Sequence, residues 1–298
     1  MSELAADGAP RSAAVFVNEG AGSAHSARVR SAVSLARRAL DADLHVTATR
    51  DRDELAAFLT ERISGYATVV IAGGDGSLGV AYNVVAGRDV TLGYIPAGFG
   101  NATAHLLDLP RHPAALAGLL LAGDARTIDL VEVNGRLALF AGAGWDALVA
   151  GRYAERGARR LRGWTGSVMR SLPDLASRWG VRIEADGVPV HEGPLLLAVV
   201  SVTPFYGRGL LVNPGARPDR GRLTLRAYPG PAPRQALEVT RWIARRLPSA
   251  RAVEALEVAL TSLDGRPIPV QADGDLVGAR EAWRFTLRAA AVRLIGKW

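Results

Sequence analysis

The stretch Thr68–Ala104 reads TVVIAGGDGSLGVAYNVVAG (68–87), then RDVTLGYIPAGFGNATA (88–104). Two apolar runs, Ala67–Ala72 and Val90–Ile95, each end in a glycine turn, and residues with helical spacing follow each turn. Strand, glycine loop, helix, twice over, is the build of an open α/β sheet. In such sheets the loops gather at the carboxyl ends of parallel strands. The first loop, Gly73-Gly74-Asp75-Gly76-Ser77, offers backbone N–H groups and one carboxylate. The second, Pro96-Ala97-Gly98-Phe99-Gly100-Asn101, offers flexible backbone and a side-chain amide. Two such loops side by side point to a nucleotide phosphate site.

Towards the N-terminus the pattern continues. Ser12–Val17 reads as a strand, Asn18–Ser23 as a loop and Ala24–Leu40 as a helix. Leu44–Thr49 is a second strand, and Asp51 can cap a helix over Asp51–Ile63. Towards the C-terminus, Pro113 and Gly123 bracket a helix over Pro113–Ala122. Thr127–Val133, carrying Asp129, is then a strand. Asn134-Gly135 signals a tight hairpin, with Arg136–Ala141 as its return strand. From there the chain turns from α/β to β. Short strands are expected at 181–185, 188–191, 195–202, 210–213, 222–227, 255–263, 268–272 and 283–287, with hairpin turns at Asp186-Gly187, Asp264-Gly265 and Asp273-Gly274. Their number and spacing imply a β-sandwich. Two helical segments interrupt it, a long tract over Asp146–Ser177 and a shorter one over Arg234–Leu247.

A chain of 298 residues favours two domains, and the change of style places the boundary near residue 130. No uncharged apolar run reaches the length of a membrane span, and the N-terminus lacks the basic-then-apolar pattern of a signal peptide. Cysteine is absent, which excludes disulfides, thiolate metal sites and a cysteine nucleophile. A cytoplasmic protein fits these features. Residues 1–130 carry a net charge of −3 and residues 131–298 a net charge of +10. The basic half suits an anionic surface, lipid or nucleic acid, or is simply a solvated arginine-rich face. Seven arginines fall between Arg152 and Arg178, in the tract that also holds Trp164 and leads to Trp179. Such a segment can touch a membrane interface, line an acyl-chain pocket or pack as an ordinary amphipathic helix. No basic stripe with interleaved aromatics marks a nucleic-acid surface.

Lys297 is the only lysine, so a Walker-type lysine, a strand-borne kinase lysine and a Schiff base are excluded from the body of the chain. Phosphate charge must be met by a metal ion, arginine and backbone N–H groups. The five histidines are scattered without metal-ligand spacing, and no G-x-S-x-G elbow occurs. Carboxylates at glycine turns remain: Asp75, Asp129 and Asp275. Carboxylates beside phosphate-cradling loops are what Mg²⁺-dependent phosphoryl transfer needs. Each also has a plainer reading. Asp75 can be a turn residue, Asn101 a helix cap and Asp273-Gly274-Asp275 a hairpin turn. Asp129, in the middle of a strand, needs a partner or a function.

Seven motifs occur in order: VNEGAG (17–22), GGDGS (73–77), PAGFGNA (96–102), TIDL (127–130), GAGWDA (142–147), FYGRGL (205–210) and DGD (273–275). Together they resemble the diacylglycerol kinase catalytic-domain family of lipid kinases, which includes sphingosine kinases and soluble bacterial lipid kinases. The resemblance covers nearly the whole chain. It implies an α/β nucleotide-binding domain similar to those of NAD kinases and phosphofructokinases, followed by a β-sandwich. The first domain would span 1–130, joined by 288–298. The second would span 131–287, with a helical insertion at about 146–178. ATP would lie between them. The resemblance places Asn18, Gly73, Gly74, Asp75, Gly76 and Ser77 around the nucleotide phosphates, Asp75 near Mg²⁺, and Gly98 and Asn101 beside the nucleotide. It places Asp129 and Asp275 near the acceptor hydroxyl, with Asp275 the base.

The implied reaction is ATP- and Mg²⁺-dependent phosphorylation of a lipid alcohol, a diacylglycerol or a sphingoid base. The implied partners are the lipid and an anionic membrane surface touched peripherally, with a homodimer left open. The sequence departs from the family pattern at several positions. Glu19 stands for proline, Ser77 for threonine, Phe99 for threonine, Ala102 for aspartate, Asp275 for glutamate, and Arg220 for a second acidic residue. An NAD kinase-like enzyme on the same fold, and a non-catalytic lipid- or nucleotide-binding relative, are the alternatives.

Overall fold

The computed structural model describes residues 12–98, 100–155, 166, 170–171, 173–176, 178–206, 209–230, 232–244 and 246–297. Contacts divide the chain into two units. The first takes residues up to Gly98, Leu107–Arg126 and Val292–Trp298; the second takes Phe99–Leu106 and Thr127–Ala291.

In the first unit the elements run β1 (Ala13–Asn18), α1 (Ala27–Ala39), β2 (Asp43–Thr47), α2 (Arg52–Arg62), β3 (Thr68–Gly73), α3 (Asp75–Val85) and β4 (Thr91–Pro96). After a short α4 (Ala102–Leu106) in the second unit, α5 (Pro113–Ala122) returns to the first. The strands form a parallel sheet in the order β2-β1-β3-β4. Val17 pairs with Ala72 and Gly73 with Pro96, so the carboxyl ends of β1, β3 and β4 lie at one edge. The chain leaves β1 in opposite directions, to β2 on one side and β3 on the other. Such a switch of direction opens a crevice at the carboxyl ends of the two central strands.

The helix boundaries follow local chemistry. Ser26 accepts a hydrogen bond from the Val29 N–H and caps α1, so the helix starts at Ala27 and not at Ala24 as expected. Asp51 caps α2 by accepting from the N–H groups of Asp53 and Glu54. Gly123, at φ 69°, ends α5 in the left-handed conformation. The core packs α1 and α5 on the sheet through Val29, Ala32, Ala36, Val15, Val70, Leu116 and Leu120. The fit is close: a Cβ on Gly93 would lie 2.7 Å from Leu120 Cδ2.

The second unit is antiparallel and β-rich. Its elements are β5 (Ala125–Val133, starting in the first unit), β6 (Arg136–Ala138), β7 (Phe140–Gly144), α6 (Trp145–Glu155), β8 (Trp179–Ala185), β9 (Val188–Leu195), β10 (Leu197–Ser201), β11 (Phe205–Tyr206), β12 (Leu210–Leu211), β13 (Leu223–Tyr228), α7 (Ala232–Ile243), β14 (Val253–Ala255), β15 (Glu257–Ser262), β16 (Ile268–Ala272), β17 (Asp275–Arg280) and β18 (Ala282–Ile295). One sheet runs β14-β13-β10-β7-β16-β17; another joins β9, β8, β15 and β18, with β5 and β6 alongside. In β8 buried and exposed residues alternate, as they must when one face meets a core. Trp283 in β18 donates its indole N–H to the Ile268 carbonyl of β16 at 2.8 Å, tying the two sheets together.

Several expectations are revised. The return strand expected over Arg136–Ala141 breaks at Leu139. The N–H groups of Leu139 and Phe140 donate to the Asp273 carboxylate, which interrupts the ladder, and β7 then pairs with β10 and β16. The strand β17 was not expected; it is an edge strand with no alternation. The strand expected over 283–287 runs on to Ile295, and its last residues belong to the first unit, where Arg293 and Leu294 pair in parallel with Thr91 and Leu92. Of the long helical tract, α6 and a 3₁₀ turn at Pro173–Ala176 are described, while Trp164 lies outside the described residues. Trp179 is not a membrane-facing residue. It is 4% exposed in β8, and its indole N–H donates to the Pro267 carbonyl at 3.1 Å.

Candidate functional site

The glycine loop after β3 is built by close approach. A Cβ on Gly73 would lie 2.7 Å from Ser77 Cβ, and one on Gly74 would lie 3.3 Å from Gly98 Cα. The two loops therefore meet backbone to backbone, held by the Ala97 N–H donating to the Gly73 carbonyl at 2.7 Å. Gly74 is the N-cap of α3 and supplies no side-chain hydrogen bond to the first turn. An N-terminus of this kind directs backbone N–H groups and a partial positive charge at an anion. Asp75 and Gly76 occupy that first turn. Asn18, at the end of β1, donates from Nδ2 to Ser77 Oγ at 3.1 Å and accepts from the Gly20 N–H at 3.0 Å. It thus fastens the loop after β1 to the loop after β3. Ser77 and Asn18 are both buried. Ser23 binds the Ala97 carbonyl with both its N–H (2.9 Å) and its hydroxyl (2.8 Å), so a third loop is drawn to the same edge. Tyr94, fully buried in β4, has its hydroxyl pKa raised well above the usual value, first by burial and then by the Asp75 charge.

Asn18, Gly73, Gly74, Asp75, Gly76, Ser77 and Gly98 all lie in the first unit. Asn101 lies in the second, with φ 48°, and its carbonyl accepts from the Ala104 N–H at 3.1 Å at the start of α4.

Asp129 and Asp275 also lie in the second unit, in different settings. Asp129 is 6% exposed, and its two oxygens accept backbone N–H groups from Gly221 (2.7 Å) and Ala290 (2.9 Å). Its own N–H donates to the Pro218 carbonyl. Expected beside an acceptor hydroxyl, this carboxylate braces the turn 218–221 and a left-handed residue, Ala290 (φ 47°), within β18. In the same turn Arg217 grips Asp219 through two hydrogen bonds, at 2.9 and 2.7 Å. Asp275, at the first position of β17, is half-buried and pairs with Arg136 Nη2 at 2.9 Å. The DGD segment is also a hairpin turn, with Asp273 at φ 49° and Gly274 at φ 89°.

A third polar group of the second unit escaped the sequence reading. Asp146, at the start of α6, accepts from the Tyr206 hydroxyl and from Gln271 Nε2 at 3.1 Å, and Gln271 Nε2 also donates to the Tyr206 oxygen. Burial pushes the Asp146 carboxyl up to about 6, against the pull of Tyr206, Gln271 and the backbone N–H groups of Ala147 and Asp146. Burial, together with the Asp146 charge, raises the Tyr206 hydroxyl further. Asp146 and Tyr206 sit inside two of the ordered motifs, which was the available signal. Nothing in the sequence singles out Gln271.

Among the described residues no three histidines or carboxylates converge on one point as a metal site. A Mg²⁺ ion that arrives with phosphate needs only one or two protein carboxylates. The Asp75 carboxylate beside an uncapped helix N-terminus fits that demand.

Residues 12–133 match the pattern of the diacylglycerol kinase catalytic domain. Among curated proteins, the chain is 36% identical over 174 residues to a diacylglycerol kinase of Mycobacterium tuberculosis, covering 54% of each chain. It is 32% identical over 208 residues to a probable lipid kinase YegS-like of Pseudomonas aeruginosa, covering 68% of each. The first of these matches thus spans about half the relative's length. Among solved structures, a diacylglycerol kinase from Bacillus anthracis superposes with a TM-score of 0.77 over 96% of this chain and 97% of the other, at 21% identity. That likeness speaks for the fold.

Proposed function

The chain belongs to the diacylglycerol kinase catalytic-domain family of lipid kinases, and from that premise we propose that it transfers the γ-phosphoryl group of ATP to a hydroxyl of a lipid alcohol, a diacylglycerol or a sphingoid base, with Mg²⁺. The observation that carries this reading is the edge where Gly74 meets Gly98 and α3 begins without a side-chain cap. Backbone N–H groups there suit phosphate oxygens, and Gly73, Gly74, Gly76 and Gly98 leave the room. Asn18 and Ser77 hold the loops in register. Asp75 would hold Mg²⁺, which when bound neutralises charge on the transferring phosphate.

On the acceptor side, Asp275 takes the proton of the attacking hydroxyl. The hydroxyl oxygen forms a bond to the γ-phosphorus, the bond to the bridging oxygen breaks, and ADP leaves. Arg136 fixes the Asp275 carboxylate. Asp129 stands near the acceptor hydroxyl, its carboxylate held by the N–H groups of Gly221 and Ala290. Asn101 shapes the second loop beside the nucleotide. The lipid is drawn from an anionic membrane surface that the basic second half touches peripherally.

The test is Asp75→Ala, with diacylglycerol and sphingosine in mixed micelles and ADP formation as readout. A loss of at least about 10³-fold in kcat, with the folded state retained, is expected for removal of a metal-holding carboxylate. Full activity in that variant would sink the assignment. Phosphorylation of NAD with no lipid turnover would favour the NAD kinase-like alternative.

A further inference from the structure

Gln271 is 2% exposed in β16, and its two ends face different partners. Its Nε2 donates to Asp146 Oδ2 at 3.1 Å and to the Tyr206 oxygen. Its Oε1 accepts the Gly274 N–H at 2.7 Å. Gly274 is the middle residue of the turn from which Asp275 emerges. The flank of that turn is held separately, by the Asp273 carboxylate accepting from Leu139 at 3.0 Å and Phe140 at 3.2 Å.

The orientation of the Gln271 amide is not arbitrary. A carboxylate accepts and does not donate, and Tyr206 spends its only proton on Asp146. Both groups therefore present lone pairs, and only the NH₂ end of an amide can meet them. With that end committed, the oxygen end must point to Gly274. The fold also makes room for the arrangement. Gly142 of β7 lies opposite Gln271, and a Cβ there would stand 1.8 Å from Asp146 Oδ2 and 2.4 Å from the Tyr206 oxygen.

The arrangement is costly to hold. Asp146 Oδ1 is buried and accepts no well-formed hydrogen bond. A carboxylate placed so is a burden on stability that an apolar side chain would avoid.

We propose that Asp146, Tyr206 and Gln271 are positioning residues for phosphoryl transfer: through the Gln271 amide they seat the 273–275 turn so that Asp275 meets the acceptor hydroxyl. This rests on the reading of Asp275 as the group that takes the acceptor's proton.

The experiment uses the full chain with ATP, Mg²⁺ and the best lipid acceptor. Gln271→Met keeps the volume and removes both ends of the bridge; Tyr206→Phe removes one donor and serves if the first variant does not fold. Each should lower kcat about 10- to 100-fold with KM for ATP within about twofold, as expected when a positioning contact is lost. The deciding comparison repeats Gln271→Met in an Asp275→Asn background. If Gln271 acts through Asp275, it costs less than about twofold there. An equal further loss in that background marks general structural damage and overturns the proposal. Amide hydrogen exchange at Gly274 gives a readout independent of turnover. Faster exchange in Gln271→Met at residues 273–276, with Val70 and Ile71 unchanged, supports the seat; unchanged exchange at Gly274 overturns it. Should the wild-type protein phosphorylate no lipid, the functional reading fails and the exchange result alone decides whether the turn is held this way.

Discussion

Asp75, Asp129, Asp146 and Asp275 have the same side chain and four different settings. The sequence pointed to three of them by their glycine turns or strand position. It could not say that Asp129 would have both oxygens filled by backbone N–H groups, because Gly221 and Ala290 lie 92 and 161 residues away. Removing that carboxylate leaves the N–H groups of Gly221 and Ala290 without their side-chain acceptor, in part-buried positions. Asp129→Ala should therefore cost about 1–3 kcal/mol, read from urea unfolding, while Asp129→Asn, which keeps one acceptor, costs less. Asp146 gives a pH-dependent prediction. Its unfolded value is 3.8 and its folded value about 6, so between them the folded state holds the extra proton. Stability should then fall as pH rises from about 4 through about 6, and stay lower above, by up to about 3 kcal/mol. In Asp146→Asn that slope should flatten and the melting temperature at pH 7.5 should rise; a steeper slope or a lower melting temperature would refute the assignment of the cost to the buried charge.

Elements were legible where local chemistry decided them. The Pro113–Ala122 helix has its proline and glycine signals in place, and the Asn134-Gly135 turn adopts the two positive φ values, 52° and 74°, that its sequence favours. Legibility failed where a distant side chain took over backbone groups, as Asp273 does between β6 and β7. It failed again at β17, whose residues are exposed or half-buried, none of them fully buried, and carry no period. The glycine loop after β3 was readable because it needs glycine for reasons of space. Gly73→Ala tests this: the new Cβ would force Ser77 aside and strain its contact with Asn18. A loss of about 1–3 kcal/mol in stability is expected, with KM for ATP raised more than kcat is lowered. A substitution that leaves KM for ATP untouched would separate this loop from nucleotide binding.

Over the whole molecule, charge and topology matter more than any single contact. The excess of +10 over residues 131–298 predicts binding to vesicles containing phosphatidylglycerol but not to pure phosphatidylcholine. Sedimentation should show the bound fraction falling steeply as salt rises from about 50 to 500 mM; binding indifferent to salt would argue for an apolar contact instead. Among the described residues no helix is long and apolar enough to cross a membrane. The two-part plan was visible in the sequence from the change of periodicity near residue 130. The path of β18 could not be read from periodicity, because Arg288 to Ala291 interrupt the apolar pattern just where the strand passes from one unit to the other; that 288–298 would join the first domain was an expectation from the family resemblance alone.

That path has a consequence for how the protein is made. The parallel partner of β4 is supplied by Arg293 and Leu294, and the main-chain groups of Gly296 and Lys297 bind Asp124 and Leu107. These residues are made long after β4, with the whole β-rich half between them. The α/β half, although most of it comes first in the chain, stays open along β4 until the end of β18 has been made. During that interval β4 offers unpaired N–H and C=O groups to any other nascent chain. A chaperone that shields an exposed sheet edge would have its work on this protein between the making of β4 and the making of β18.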